Sequence, residues 1–156
     1  MIEIEIPGFR TFRFRSLVLD VNGTIAKDGM LIDGVAGLLK QLQSRLNIHL
    51  ITADTHGKQA DIDRILGMTA ASIPQTGQAQ AKFHFVEQLG ADEVVAVGNG
   101  ANDAAMLGRA ALGIVIIGPE GAAVDALLKA QVAAPDINTA LELLLYPKRL
   151  IATLRR

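Results

Sequence analysis

The stretch that decides the fold of this chain is Ser16-Leu17-Val18-Leu19-Asp20-Val21-Asn22-Gly23-Thr24. Its apolar run before Asp20 predicts a short buried strand that stops at an acidic, glycine-containing turn. Such a turn presents the Asp20 carboxylate beyond the strand end, where backbone N–H groups can hold a phosphate while the carboxylate attacks it. An Asx-turn with a purely structural role is the alternative at this position.

Beyond this stretch, short apolar runs alternate with segments of helical periodicity. Five apolar residues, for example, fall on one helical face: Val35, Leu38, Leu39, Leu42 and Leu46. The other predicted strands cover 48–51, 70–73, 94–97, 112–117 and 132–134, and the other predicted helices cover 57–67, 78–89, 102–110, 120–130 and 136–145. This alternation predicts an α/β fold, with a parallel sheet covered by helices on both faces. Ligands of such sheets bind beyond the carboxyl ends of the strands.

Both ends of the chain carry extensions of this predicted core. Alternating Ile and Glu residues, followed by Pro7-Gly8 and a second alternating run, predict a β-hairpin over residues 1–15. This hairpin and the flap-like stretch 25–31 are candidate covering or oligomer surfaces, and addition to the sheet edge is equally expected for the hairpin. Residues 147–156 form a basic amphipathic segment, which we interpret as a docked terminal helix rather than a membrane or partner contact.

The composition limits the function classes. With 156 residues, 50% of them apolar, the chain is long enough for one compact domain, spanning 1–156, and too apolar for disorder. Its net charge of −1 produces no overall electrostatic field that would favour the binding of nucleic acid. The absence of cysteine excludes disulfides and thiolate chemistry and fits a cytoplasmic location. No apolar run is long enough to span a membrane, and the N-terminus does not read as a signal peptide.

Three further polar features surround the predicted site. Thr52-Ala53-Asp54 follows a predicted strand. The Thr52 hydroxyl could donate a hydrogen bond to a phosphoryl oxygen, although a cap on the next helix, formed by Thr52 or Asp54, is the simpler interpretation. Lys82 lies early in a predicted helix and, considered by itself, is interpreted as a surface residue. The stretch 98–103, Gly-Asn-Gly-Ala-Asn-Asp, is neither a dinucleotide fingerprint nor a P-loop. Its oxygen-bearing side chains suit a hard cation such as Mg²⁺.

Taken together and in this order, these four features resemble the four motifs of the haloacid dehalogenase-like superfamily of phosphohydrolases. The closest likeness is to the phosphorylation domain of P-type ATPases. Thr52-Ala53-Asp54 is similar to their Thr-Gly-Asp, and the stretch 98–107 is similar to their Gly-Asp-Gly-x-Asn-Asp-x-x-x-Leu. The chain therefore resembles the small soluble P-type ATPase-like proteins, and the resemblance implies a three-layer, Rossmann-like core.

The resemblance also implies roles for individual residues. Asp20 would be the nucleophile that forms an aspartyl-phosphate, and Thr52 and Lys82 would hold the transferring phosphoryl group. Mg²⁺ would be bound by Asp20, the Asn22 carbonyl and two side chains of the fourth motif, Asn99 and Asp103. The implied substrate-binding residues are Val21, Gly23, Thr24, Ala53, Asp54 and Asn102. His56 follows Asp54 beside this site, where an ordinary loop histidine is the better interpretation than a substrate contact.

Two departures from the family pattern shape the expected activity. Asn22 replaces the general acid–base aspartate that follows the nucleophile by two positions, and Asn99 replaces the first acid of the fourth motif. The intervals from Asp20 to Thr52 and from Thr52 to Lys82 leave no room for a cap domain. We therefore expect a slow, capless, Mg²⁺-dependent phosphohydrolase that favours activated phosphates or nucleotides. The alternative is a non-catalytic phosphate- or metal-binding protein that acts through homo-oligomer or partner contacts.

Overall fold

The computed structural model describes residues 1–53 and 57–156, so the predictions on Asp54 and His56 lie outside the described residues. The strands are β1 (Ile2–Ile6), β2 (Arg10–Phe14), β3 (Ser16–Asp20), β4 (Ala26–Lys27), β5 (Met30–Leu31), β6 (Asn47–Thr52), β7 (Ala71–Ser72), β8 (Val94–Gly98), β9 (Leu112–Ile116) and β10 (Val132–Ala134). The helices are α1 (Val35–Leu42), α2 (Gln59–Leu66), α3 (Gln78–Gln88), α4 (Ala104–Arg109), α5 (Val124–Lys129), α6 (Ile137–Leu145) and α7 (Pro147–Leu154).

The central sheet has six strands in the order β10-β9-β8-β3-β6-β7, and its neighbouring strands pair in parallel. The strand that ends at Asp20 therefore lies in the middle of the sheet. Asp20 pairs with Ile51 of β6, and Leu19 pairs with Val97 of β8. Because parallel strands end at one edge, this register brings Asp20, Thr52 and Gly98 to the same edge, as the sequence predicts.

Helices cover both faces of the sheet, which confirms the three-layer α/β prediction. Leu17 and Leu19 of β3 pack in one apolar cluster with residues of α1, α6 and α7. Val18 points to the other face and packs in a second cluster with residues of α3, α4 and α5. Since successive side chains of a strand alternate between faces, a strand buried on both sides must be apolar throughout.

The N-terminal hairpin forms at the predicted place, but it neither joins the sheet edge nor covers the site, and its role as an oligomer surface stays a prediction. β1 and β2 form a separate antiparallel sheet and do not join the edge of the central one. The hairpin sits at the amino ends of the strands, where Arg15 accepts a backbone hydrogen bond from Asn47 and donates one to Glu93. It therefore lies away from the edge that carries Asp20 and does not cover it. Its apolar side chains complete the core instead.

The C-terminal segment is a helix docked on the core, as predicted. Leu150 of α7 is fully buried, and Ile151 and Leu154 pack against the same apolar cluster. The Arg156 N–H donates to the Pro7 carbonyl, which ties the end of the described chain to the hairpin turn. Within the described residues, no helix is long and apolar enough to cross a bilayer.

The connections beyond β3 and β6 are short. β3 is followed by the two-residue strands β4 and β5, whose hairpin turn holds Asp28 and Gly29 at positive φ. β6 is followed, among the described residues, by α2 and β7 before α3 begins. These connections contain no cap domain in the described part of the chain.

One predicted helix begins later than expected. The prediction placed a helix over 120–130, but α5 begins only at Val124. Gly118, Pro119, Glu120 and Gly121 form a turn closed by a 2.9 Å hydrogen bond from the Gly121 N–H to the Gly118 carbonyl. Gly121 has φ +74, which interrupts a helix at this point. The turn places Glu120 beside the carboxyl edge of the sheet.

Candidate active site

Three charged side chains meet at the carboxyl edge and form what we call the base: Asp20, Lys82 and Asp103. Asp20 and Lys82 line a cavity there, and Asp103 is fully buried. The ammonium of Lys82, from α3, lies 2.6 Å from Asp20 Oδ1 and 2.6 Å from Asp103 Oδ1. The Lys82 side chain is only 2% exposed. A lysine is almost never buried so fully without partners, and two carboxylates here share its charge. The interpretation of Lys82 as an isolated surface residue is therefore wrong, and the motif-based role fits its position.

Burial and the second carboxylate control the charge of Asp20. Burial, and after it the charge of the nearby Asp103, raise the pKa of the Asp20 carboxyl; Lys82 and Thr24 oppose the rise, and the resulting pKa is about 7. Burial alone would lower the pKa of Lys82, but Asp20 and Asp103 outweigh it and raise that pKa. Lys82 therefore stays charged, and Asp20 is held near the point where it gains or loses its proton at neutral pH.

The fourth motif is built around the Asp103 carboxylate. Asp103 Oδ2 accepts hydrogen bonds from the backbone N–H groups of Asn99 (3.0 Å) and Gly100 (2.9 Å). A Cβ at position 98 would lie 2.5 Å from Asp103 Oδ2, so glycine is required there for the carboxylate to fold under the strand end. Because Lys82 occupies the other oxygen, both oxygens of Asp103 have partners within the protein. The predicted role of Asp103 as a metal ligand remains a prediction.

Asn99 presents its oxygen to the Thr24 hydroxyl, which also contacts Asp20. Its Nδ2 donates to the Gly121 carbonyl over 3.1 Å, which fixes the orientation of the amide. The Thr24 hydroxyl lies 3.0 Å from Asp20 Oδ2 and 3.3 Å from Asn99 Oδ1. A hydroxyl has one proton and can donate to only one of these oxygens at a time. Two oxygen acceptors, Asp20 Oδ2 and Asn99 Oδ1, thus face the single proton of Thr24.

The cavity above the base is small and polar, with a volume of about 210 Å³. Its lining residues are Asp20, Asn22, Ala53, Gln78, Lys82, Asn99, Gly100, Asn102 and Glu120. Four of them form what we call the rim: Asn22, Gln78, Asn102 and Glu120. Asn102 Nδ2 donates to Gln78 Oε1 over 2.6 Å and so links the fourth motif to the start of α3. The cavity gathers residues from all four motifs.

The remaining predicted substrate-binding residues have varied positions. Val21 is fully buried, and its carbonyl accepts the N–H groups of Thr24, Ile25 and Ala26. The Gly23 N–H donates to the Ala26 carbonyl, so it too is used within the turn. Thr52 is buried at the end of β6, one residue beyond the partner of Asp20. Phosphate binding by Val21, Gly23, Thr24 and Thr52 stays a prediction.

Sequence reasoning missed two residues of the rim, Gln78 and Glu120. The sequence pattern identifies Gln78 only as the first residue of a predicted helix. It places Glu120 in the first turn of another predicted helix, where an acidic residue is common and needs no functional explanation. The signal that could have revealed its position is Gly118-Pro119-Glu120-Gly121, because glycine and proline at these positions are typical of a turn.

The donor set identifies which groups could hold a metal ion. Within the described residues, no cluster of three or more His, Cys, Asp or Glu could form a metal site by itself. Carboxylate and amide oxygens do meet at the cavity, on Asp20, Asn99 and Asn22. Oxygen donors without sulfur or imidazole fit Mg²⁺ in chemical type.

Comparison with known proteins places the chain in a family. The model of the haloacid dehalogenase-like hydrolases matches residues 4–111. The chain belongs to the haloacid dehalogenase-like hydrolases. The match includes the first three motifs and the whole stretch 98–103. Two uncharacterized proteins of Methanocaldococcus jannaschii are similar to parts of this hydrolase: one is 43% identical over 79 residues (48% of this chain, 85% of the relative). The other is 46% identical over 39 residues (25% of this chain, 89% of the relative).

Solved structures of phosphatases share the fold of this haloacid dehalogenase-like hydrolase. The 3-deoxy-D-manno-octulosonate 8-phosphate phosphatase of Moraxella catarrhalis, crystallised with magnesium, phosphate and KDO, has a TM-score of 0.65 and 19% identity, over 91% of this chain and 94% of that one. The cobalt-bound phosphatase of the same type from Haemophilus influenzae has a TM-score of 0.70 and 10% identity, over 92% and 94%. A phosphoserine phosphatase has a TM-score of 0.67 and 16% identity, over 86% and 99%.

Proposed function

We propose that this protein is a Mg²⁺-dependent phosphohydrolase that acts through an aspartyl-phosphate on Asp20. The observation that carries the proposal is the buried Asp20–Lys82–Asp103 arrangement at the carboxyl edge of the sheet. A buried nucleophilic carboxylate next to a lysine can accept a phosphoryl group, since the ammonium offsets the negative charge that gathers there. The phosphatases that share the fold support a small phosphorylated compound as the substrate class.

The reaction has two displacements at phosphorus. In the first, a carboxylate oxygen of Asp20 forms a bond to phosphorus, and the bond from phosphorus to the leaving-group oxygen breaks with its electron pair. In the second, a water oxygen attacks the phosphorus of the aspartyl-phosphate, its proton passes to solvent, and the electron pair of the broken bond returns to Asp20. Lys82 contacts the reacting carboxylate, and Asp103 positions Lys82 through the second ion pair.

Asp20, the Asn22 carbonyl and the Asn99 side chain would hold the cation. When bound, Mg²⁺ supplies positive charge that lets the anionic carboxylate and the anionic phosphate approach each other. The same charge would favour the ionised form of Asp20, whose pKa is otherwise about 7.

Asn22 decides which leaving groups suit the site. An amide can donate a hydrogen bond but cannot exchange a proton, so an alkoxide leaving group would depart without protonation from position 22. Acyl phosphates and phosphoanhydrides release anions that are stable without a proton. We therefore propose that the protein hydrolyses acyl phosphates or nucleotides faster than simple phosphomonoesters.

A phosphate analogue tests the proposal. Beryllofluoride with Mg²⁺ mimics an aspartyl-phosphate, so it should raise the melting temperature of the native chain and leave that of Asp20→Ala unchanged. Asp125→Ala, which removes an exposed carboxylate outside the cavity, is the matched control and should respond as the native chain does. A native chain without any response would contradict the proposal.

A non-catalytic binding protein is the second candidate function, because Asn22 and Asn99 both replace acidic residues of the family pattern. In that case the native chain would bind inorganic phosphate or Mg²⁺ at Asp20 but would show no turnover of acetyl phosphate. Turnover that Asp20→Ala abolishes decides against this candidate.

A further inference from the structure

We propose that Glu120 supplies a carboxylate ligand to the divalent cation of this site and so compensates for the charge that Asn99 lacks. The inference rests on the proposed function, since it assigns a residue to the same cation. It starts from the turn 118–121, of which the sequence pattern assigns residues 120 and 121 to a helix, and which brings an acidic side chain to the cavity wall.

The Glu120 side chain points to the first motif. A Cβ on Gly23 would collide with Glu120 Oε2 and would lie 2.9 Å from Asn99 Nδ2. Gly23 has φ +79 and no side chain, so its surface receives both groups. The carboxylate of Glu120 and the amide of Asn99 thus converge on the turn that follows Asp20. Asp20 lines the same cavity.

The turn that carries Glu120 is tied to the fourth motif at two points. Asn99 Nδ2 donates to the Gly121 carbonyl over 3.1 Å, and the Ala123 N–H donates to the Asn99 carbonyl over 2.8 Å. These two hydrogen bonds therefore connect Asn99 to the turn that carries Glu120. An exposed side chain at the tip of a hydrogen-bonded turn is suited to reach an ion that enters from solvent.

A count of charges explains why the site needs this carboxylate. Both oxygens of Asp103 already have partners in Lys82 and two backbone N–H groups. Asn99 and the Asn22 carbonyl are neutral donors. Among the predicted metal ligands, Asp20 is then the one anionic side chain that lines the cavity, and it must also serve as the nucleophile. Glu120 brings a second negative charge, and two carboxylates balance a divalent cation.

Binding of Mn²⁺, used as a probe in place of Mg²⁺, tests the assignment without any measurement of activity. The full chain and its variants are titrated with Mn²⁺ by calorimetry and by loss of the free-ion paramagnetic resonance signal. Glu120→Gln should weaken Mn²⁺ binding by at least about tenfold, the lower end of what ligand-supporting groups contribute. Asp125→Asn is the matched control, because it removes the same charge from an exposed residue outside the cavity, and its affinity should equal that of the native chain.

A second substitution tests the compensation itself. In the Glu120→Gln background, Asn99→Asp should restore most of the Mn²⁺ affinity. It places a negative charge at position 99, whose side chain also lies next to Gly23. Equal affinity in the native chain and Glu120→Gln, with binding lost in Asp20→Asn, would overturn the role of Glu120 and leave the proposed function standing. Absence of Mn²⁺ binding in the native chain would overturn both.

Discussion

The base and the rim of the cavity are held in place by different forces. The base consists of Asp20, Lys82 and Asp103 and is buried. The Lys82 nitrogen lies 2.6 Å from a carboxylate oxygen of each aspartate. The rim is made of three half-buried amides and the exposed Glu120. Removal of Lys82 leaves two buried carboxylates without their counter-charge, whereas the rim can change at little cost to folding. We infer that the base fixes the reaction type and that the rim sets the leaving group and the cation.

The largest expected effect is at the base. Lys82→Met leaves two buried carboxylates facing each other without the ammonium, so we expect a loss of about 3–5 kcal/mol in the free energy of unfolding. Lys40→Met, which removes an exposed helical lysine, is the control and should change stability little. Urea denaturation of both variants measures the difference. Equal stability of the two variants would mean that the base is not a charge-paired unit.

The base should also make stability depend on pH. The pKa of Asp20 is about 7 in the folded chain, against an ordinary value of 3.8, so the folded state holds a proton that the unfolded state has released. The stabilisation that Asp20 gives the folded state by holding this proton is therefore fully present below pH 3.8 and is lost as the pH rises to about 7. Melting temperatures in metal-free buffer should show this loss in the native chain and not in Asp20→Asn. Parallel profiles for the two proteins would contradict it.

At the rim, Asn22→Asp should change the preference for leaving groups. The new carboxylate can protonate an alkoxide, so hydrolysis of an alkyl phosphomonoester should rise by about 100-fold, the lower end for general acid–base catalysis. Hydrolysis of acetyl phosphate, whose leaving group needs no proton, should change far less. Turnover numbers for both substrates test this, and an equal rise for the two would show that position 22 does not act on the leaving group.

The smallest expected effect is that of adding a methyl group at Gly23, and a second glycine variant distinguishes crowding at the rim from backbone strain. Gly23→Ala and Gly90→Ala both put a side chain at positive φ, +79 and +81, and each should cost about 1–2 kcal/mol in stability. Only the new methyl group at position 23 collides with Glu120, because nothing lies within 4 Å of a Cβ at position 90. Gly23→Ala alone should therefore weaken Mn²⁺ binding. If calorimetry gave the two variants the same Mn²⁺ affinity, the contact between Gly23 and Glu120 would have no part in the site.

The sequence predicted the base well because two of its three residues follow from chain topology. Asp20 and Asp103 stand after apolar strands, and strands of a parallel sheet must end at one edge. Lys82 required the family motif, since no pattern in the chain shows that a helical lysine points inward. The resulting ion pairs confirm that the three residues meet.

The rim was less predictable because it depends on where helices start. Glu120 follows Pro119, and both residues are as common in the first turn of a helix as in a reverse turn. The hydrogen bond that closes the turn at Gly121, and the ties between Asn99 and this loop, are long-range contacts that no local pattern reveals. The position of the hairpin was missed for a similar reason, since its alternating residues indicate a strand but not the surface on which it packs.

The central claim is that Asp20 carries the phosphoryl group during turnover. Its most direct test is to mix the native chain with acetyl phosphate and Mg²⁺, quench with acid and locate the modification by peptide mass spectrometry. We predict one phosphoryl group on the peptide that contains Asp20, labile to hydroxylamine as an acyl phosphate must be, and absent in Asp20→Asn. A native chain that turns over acetyl phosphate without this modification, or a modification that persists in Asp20→Asn, would contradict the account.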